Sequence, residues 1–206
     1  MHIPDGILKP NLLLAGWLIS ISAVIYCLKK VKATLKDRAI PLMGVAAAFI
    51  FTAQAIDFPL LGGTAHLLGQ ALAVVLLGPY AAVLVMTAVL AVQCFIFQDG
   101  GLTALGANVF NMAFVGPIGG YFVYRLASRV FKKSLLPAVG LAAWFAVVLS
   151  ATFYALELAF SGVFPFKILL SSMILIHAVV GMAEAVITCL VIGFIIKVRR
   201  DLIYQP

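Results

Sequence analysis

The chain has 206 residues, of which 65% are hydrophobic and only 10% are charged. Soluble domains carry about 25% charged residues, so this composition excludes a soluble globular protein. It is typical of a polytopic membrane protein, and we expect one all-α integral membrane domain over residues 1–206. The net charge of +7 is then expected to reflect topology and contact with the lipid bilayer, with no nucleic acid as a partner.

The first ten residues, MHIPDGILKP, lack the basic stretch and continuous apolar run of a cleaved signal peptide. We therefore expect this segment to remain in the mature protein, with Met1 retained because its removal needs a small second residue. The α-amine of Met1 and the backbone nitrogen and imidazole Nδ1 of His2 could then bind one metal ion in two fused chelate rings. The alternative is that His2 is an ordinary second residue.

Such a chelate has a preferred metal. Its three nitrogens lie nearly in one plane because the peptide unit is planar, and a further histidine would complete a square. Square-planar nitrogen ligation suits Ni²⁺ or Cu²⁺, whereas Zn²⁺ prefers a tetrahedron. The turn-forming sequence Pro4–Gly6 could fold the chelate back into the protein.

Seven helices are predicted, because a membrane-spanning helix needs roughly 20 apolar residues. They lie near residues 11–28, 39–56, 66–77, 80–97, 106–128, 136–160 and 168–196. Most of the 14 Lys and Arg residues follow the first, fifth and seventh of these helices, within 29–38, 125–133 and 197–200. The positive-inside rule assigns that side to the cytoplasm, so we expect the N-terminus outside and the C-terminus inside.

The third predicted helix is short. At 1.5 Å per residue, residues 66–77 make about 18 Å of helix, against a hydrocarbon core of about 30 Å. The preceding segment, residues 57–66, would therefore enter the protein, which is tolerated only where protein or a polar cavity surrounds it. This predicts an outward-facing pocket with His66 at its floor and the N-terminus folded into it.

Few polar side chains lie within the predicted spans. Four amides near the outer ends either tie helices together or line and support the pocket: Gln54, Gln93, Asn108 and Asn111. His177 and Glu184 lie seven residues apart, hence on one face of the last helix. They form either a buried structural network or a group with a role in transport.

No catalytic constellation is found. The chain lacks an HExxH or CxxC motif, a Walker A sequence and a G-x-S-x-G elbow. The three cysteines stand alone in apolar runs, which indicates neither a disulfide framework nor a thiolate metal site. We therefore expect no enzymatic activity and no organic cofactor.

Three segments carry a resemblance to a known family. MHIPDG at the N-terminus, FPLLGGTAHLLG at 58–69 and DGGLTALGANVFNMAFVGP at 99–117 resemble the CbiM/NikM proteins. These are the substrate-binding (S) membrane components of energy-coupling factor (ECF) transporters for cobalt and nickel. One departure is GTAH, a residue shorter than the GTSGH form of many members.

The resemblance implies a metal site made by Met1, His2 and His66, with Asn108 and Asn111 supporting it. It also implies seven helices in a prokaryotic cell membrane, and Ni²⁺ or Co²⁺ as the transported substrate. The implied partners are a membrane coupling (T) protein, two cytosolic ATPase subunits and a small accessory membrane protein. Nickel is favoured over cobalt because it binds nitrogen sites more tightly.

Two alternatives stay open at this point. One is an ECF-type binder of cobalt for cobalamin synthesis or of a small organic vitamin. The other, from a different class, is a non-catalytic structural subunit of a membrane complex. The organic-substrate and structural alternatives would not need a free α-amine.

Overall fold

The structure is a computed structural model that describes residues 1–34, 39–60 and 63–205. Two basic residues used to predict the orientation, Lys36 and Arg38, lie outside the described residues. So do Leu61 and Gly62 of the segment predicted to enter the protein.

Helices form most of the described chain. In chain order the elements are α1 (Pro10–Thr34), α2 (Ala39–Gln54), β1 (Phe58–Leu60), β2 (Gly63–Ala65), α3 (Gln70–Leu77), α4 (Pro79–Phe97), α5 (Leu105–Asn108), a π helix (Val109–Val115), α6 (Gly116–Val130), α7 (Leu136–Phe160), α8 (Phe166–Val198) and a 3₁₀ turn (Arg200–Leu202). The sequence did not predict the two strands, which pair antiparallel as a short hairpin.

Four helices in the described part of the chain are long and apolar enough to cross a membrane: α1, α4, α7 and α8. Helix length and composition alone do not confirm the predicted count of seven, for three structural reasons. Helix α2 has 16 residues, α3 has 8, and the fifth predicted span is divided by the π helix. The chain is thus an all-helical membrane protein whose described residues contain four candidate spans and one short hairpin.

The third predicted helix begins four residues later than expected. Gly69 precedes it with φ 73°, in the left-handed region. An α-helix cannot continue through that conformation, so His66 lies in the segment between β2 and α3 and not in α3 as predicted. Two other helices can be compared with their predicted bounds. Helix α1 continues to Thr34, beyond the predicted end at residue 28, and α7 occupies the residues where the sequence predicted it.

The π helix is stabilised by side chains from neighbouring helices. Its widened turns let two main-chain carbonyls accept side-chain hydrogen bonds, Asn111 O from Ser150 (2.9 Å) and Met112 O from Gln70 (2.9 Å). Pro117 follows within the next turn and has no N–H to continue the regular ladder. Side chains inserted from neighbouring helices therefore replace part of the helix's own bonding.

Helix α3 lies at the centre of the bundle. It packs against α2, α4, α6, α7 and α8, and its first six residues are all buried. A short helix that is apolar on every face is stable only inside a protein. Around it, small residues allow close approach: a Cβ on Gly106 of α5 would lie 2.5 Å from the backbone nitrogen of Trp17 in α1.

Candidate metal-binding site

The residues before α1 fold onto the bundle, and we call residues 1–9 the N-terminal strap. Its apolar side chains anchor it: Ile3 has no exposed surface and Leu8 is 6% exposed. They pack into a small cluster with Ala104, Leu158 and other apolar residues. Burying one such side chain stabilises the docked strap by about 1.5–3 kcal/mol.

Asn108 fixes the strap at Ile3. The Ile3 N–H donates to Asn108 Oδ1 at 2.8 Å, and Asn108 Nδ2 donates to the Ile3 carbonyl at 3.1 Å. The same carbonyl accepts from the Gly101 N–H at 2.8 Å. One side-chain amide thus satisfies both main-chain groups of a buried residue, two positions from the N-terminus.

Asp5 makes a second attachment that the sequence analysis missed. Its carboxylate accepts from the N–H groups of Leu102 (3.0 Å) and Thr103 (2.8 Å) and from the Thr103 hydroxyl. These hydrogen bonds lower the pKa of Asp5, and the bond from the Thr103 hydroxyl has the largest effect. Gly101 makes room for this contact, since a Cβ there would lie 2.3 Å from the Asp5 nitrogen. The only sequence signal was the turn sequence around Asp5, which also fits a free turn.

The docked strap brings the three predicted metal ligands together. The Met1 α-amine lies 3.2 Å from His66 Nε2, and the rings of His2 and His66 are 5.3 Å apart between centroids. The other ring nitrogen of His66, Nδ1, lies 2.8 Å from the carbonyl of Leu67. A carbonyl accepts only from a protonated nitrogen, so this contact assigns the proton to Nδ1. His66 therefore points an unprotonated Nε2 lone pair toward the amine.

Main-chain hydrogen bonds hold the segment after His66. The N–H groups of Leu68 and Gly69 donate to the Glu184 carboxylate at 2.6 Å and 2.5 Å. The Leu68 carbonyl accepts from Gln54 at 2.6 Å, and Gln54 in turn accepts from Gln93 at 2.8 Å. Glu184 of α8, Gln54 of α2 and Gln93 of α4 thus hold the segment that carries His66, although none of them contacts the imidazole.

Burial keeps the three nitrogen groups neutral. It lowers the pKa of the Met1 amine to about 6 and that of His66 to about 4. It also lowers the pKa of His2, where the nearby α-amine acts in the same direction. Because metals bind only unprotonated nitrogens, the amine and the two imidazoles are already in the form that binds a metal ion at neutral pH.

Asp99 is a further residue that the sequence analysis missed. Its Oδ2 lies 3.5 Å from His2 Nε2, a nitrogen that is buried without a hydrogen-bond partner in the described residues. Burial raises the pKa of Asp99, while the Met1 amine acts to lower it. A proton on Nε2 would face this carboxylate and leave Nδ1 of His2 free. Asp99 stands at the start of the DGGLTALGAN segment, where nothing in the sequence pointed to His2.

Two predicted residues lie in other networks. The side chain of Asn111 donates to the carboxylate of Glu157 at 2.6 Å, within the bundle. His177 Nδ1 bonds the carbonyl of Met173 on its own helix at 2.9 Å. His177 and Glu184 therefore have different partners, although they share one face of α8.

Side chains alone do not form a metal site here. In the described residues, no three His, Cys, Asp or Glu side chains converge as a cluster that could hold a metal ion. Two imidazoles do converge, and the α-amine and the His2 backbone nitrogen lie beside them. Any square site at this place must therefore include main-chain nitrogens.

Comparison with known proteins identifies the family. The profile of CbiM, the cobalt uptake substrate-specific transmembrane region, matches residues 2–202. The chain belongs to the CbiM family. The resemblance found in the sequence is thereby confirmed, and this CbiM-family chain is a membrane transport protein and not an enzyme.

Relatives and a solved structure agree with the family. A putative fused nickel transport protein, NikMN, of Archaeoglobus fulgidus is 42% identical over 208 residues, which cover 100% of this chain and 68% of that protein. A putative metal transport protein of Haloquadratum walsbyi is also 42% identical, over 99% of this chain and 94% of that protein. The crystal structure of a transition metal transporter matches with a TM-score of 0.90 at 33% identity, over 96% of this chain and 93% of that chain.

Proposed function

We propose that this CbiM-family protein is the metal-capturing subunit of an ECF-type importer of Ni²⁺ or Co²⁺. The observation that carries the proposal is the 3.2 Å approach of the Met1 amine to the unprotonated Nε2 of His66. The names of the relatives support it, since one is a nickel transport protein and the family is described by cobalt uptake.

The proposed ligands are four nitrogens: the Met1 amine, the backbone nitrogen and Nδ1 of His2, and Nε2 of His66. The first three form a five-membered and a six-membered ring around one ion. The fourth ligand, Nε2 of His66, comes from the segment between β2 and α3. The bound ion therefore links the strap to that segment. Between the two candidate substrates, Ni²⁺ fits a planar nitrogen set better than Co²⁺ does.

Capture follows from this ligand set. A hydrated ion from the outside exchanges its water for the four nitrogens, and the His2 amide loses its proton as it binds. Because burial lowers the pKa of the amine to about 6, the amine is mostly unprotonated at pH 7. Binding then releases close to one proton per ion, nearly all of it from the amide.

The same proposal includes an arrangement in the membrane. The chain crosses the prokaryotic cell membrane seven times, with the strap outside and the C-terminus in the cytoplasm. The basic residues in the last turns of α1, α6 and α8 and directly after these helices support this orientation. A membrane coupling protein, two cytosolic ATPases and a small accessory membrane protein complete the importer, and their work releases the ion inside.

The deciding experiment compares Ni²⁺ and Co²⁺ binding by two purified forms of the protein. One has the native N-terminus, and the other carries four extra residues before Met1. A single added residue is unsuitable because a histidine in third position forms a square chelate of its own. We expect tight binding by the native form and loss of at least a hundredfold in affinity on extension.

The same four residues added after residue 206 serve as the matched control and should leave binding unchanged. His66→Ala should weaken binding, whereas His177→Gln should not. Unchanged affinity in the N-terminally extended protein would exclude the amine–His2 chelate and with it the proposed site.

A further inference from the structure

A large cavity lies at the end of the bundle opposite the strap. It measures about 780 Å³ and opens between the end of α6, the start of α7 and the end of α8. Four cationic side chains surround it: Lys132 and Lys133 in the α6–α7 connection, Lys197 in the last turn of α8, and Arg200 in the 3₁₀ turn. None of these residues contributes to the metal site.

In the described part of the chain, no acidic residue lines this cavity. The nearby carboxylate of Asp201 accepts two hydrogen bonds from Arg199, each 2.9 Å long.

An apolar wall continues from the basic rim. Leu190 and Phe194 line the cavity, and they are 69% and 67% exposed. They stand on the face of α8 that the rest of the protein leaves uncovered. A ligand that satisfies the whole cavity must therefore carry both a negative head and apolar chains.

We propose that this cavity binds an anionic membrane lipid. Its headgroup phosphate lies among Lys132, Lys133, Lys197 and Arg200, and its hydrocarbon chains lie along Leu190 and Phe194. Basic pockets between helices at a membrane surface have the chemistry that recognises such headgroups. An acidic partner protein would bind the four cations, but it would leave the apolar side chains Leu190 and Phe194 on the lipid-facing side of α8 unexplained.

The test measures lipid binding by native mass spectrometry of the purified, metal-free protein. Phosphatidylglycerol and phosphatidylcholine with identical acyl chains are compared in wild type and in the triple variant Lys132→Gln, Lys133→Gln, Lys197→Gln. Each removed charge should weaken phosphatidylglycerol binding about fivefold. The triple variant should therefore lose about a hundredfold and no longer prefer phosphatidylglycerol. Lysine-to-arginine exchange at the same positions should preserve the preference.

The matched control removes three charges from the same end of the bundle but outside the cavity: Lys29→Gln, Lys30→Gln, Lys32→Gln. It should change phosphatidylglycerol affinity less than threefold. An equal loss in both triple variants would overturn the proposal in favour of unspecific surface charge. Displacement of the lipid by inorganic phosphate would also overturn it, as a site for the free ion. The proposal would also be overturned if the triple cavity variant kept its preference for phosphatidylglycerol but no longer associated with the rest of the importer. The cavity would then be a protein-binding site.

Discussion

Asn108 allows the role of the strap to be tested quantitatively. Replacing Asn108 by leucine preserves side-chain volume and removes both hydrogen bonds to Ile3. The buried Ile3 N–H then has no partner, which costs about 1–3 kcal/mol. The Ile3 carbonyl keeps its hydrogen bond from Gly101. Losing its second hydrogen bond, from Asn108, therefore costs less, about 1 kcal/mol. The docked strap should become less stable by about 2–4 kcal/mol relative to the undocked one.

The α-amine of Met1 reports on strap opening directly, because it is accessible to an amine-reactive ester only when the strap is undocked. Labelling of the N-terminal peptide is followed by mass spectrometry at pH 7, with the exposed Lys133 as internal reference. Since 1.4 kcal/mol is a factor of ten in population, Asn108→Leu should label about 30- to 700-fold faster than wild type. Metal affinity should fall in the same variant, by up to the same factor.

Asn111→Leu is the matched control. It removes the same functional group one helical turn away, in the network of Glu157. It should lower thermal stability and leave the labelling rate of the amine within about threefold of wild type. If Asn108→Leu labels at the wild-type rate, or if Asn111→Leu accelerates labelling equally, then Asn108 does not hold the strap and the reasoning is refuted.

Three further predictions follow from the same contacts. Gly101→Ala places a Cβ 2.3 Å from the Asp5 nitrogen and should abolish Ni²⁺ binding in calorimetry, whereas Gly44→Ala, with nothing within 4 Å, should bind as wild type. Asp5 has a lowered pKa in the docked strap, so its contribution is complete above its ordinary pKa and is lost as the pH falls through the lowered one. Protection of the strap amides from hydrogen exchange, relative to the intrinsic rate at each pH, should therefore fall there in wild type and stay independent of pH in Asp5→Asn. Glu184→Gln replaces one of the two acceptor oxygens by a donor, so it should lower the free energy of thermal unfolding by about 1–3 kcal/mol. It should also weaken metal binding, because the segment that carries His66 is held less firmly. Full metal affinity in that variant would show that Glu184 does not position His66.

The long helices could be predicted from the sequence because their signal is local. Helices α7 and α8 are long and predominantly apolar and are bounded by proline or charged residues, so their extent follows from the chain itself. Helix α3 is different, because its start depends on the left-handed Gly69 and on the carboxylate of Glu184, more than a hundred residues away. In the sequence, Gly69 alone does not show that a helix begins there, because the contact with Glu184 appears only in the fold.

The π helix could not be predicted for the same reason. Its sequence, VFNMAFV, reads as ordinary apolar helix. The bonds that widen it come from Gln70 in α3 and Ser150 in α7. Neither partner can be recognised until the helices are packed. Asn108 and Asn111 looked equivalent in sequence, and only this packing places one on the strap and the other beside Glu157.

The candidate site lies where two separately held parts of the chain meet. The strap is attached by Asn108 and by the loop that binds Asp5, while His66 is positioned from α8 by Glu184. Two of the four proposed nitrogens belong to the main chain, so no side-chain motif could contain the whole site. An ion bound between these parts would fix them to each other, and any movement of α8 relative to α5 would separate the ligands. Because the two parts are held by different helices, we propose that a change in helix packing releases the ion.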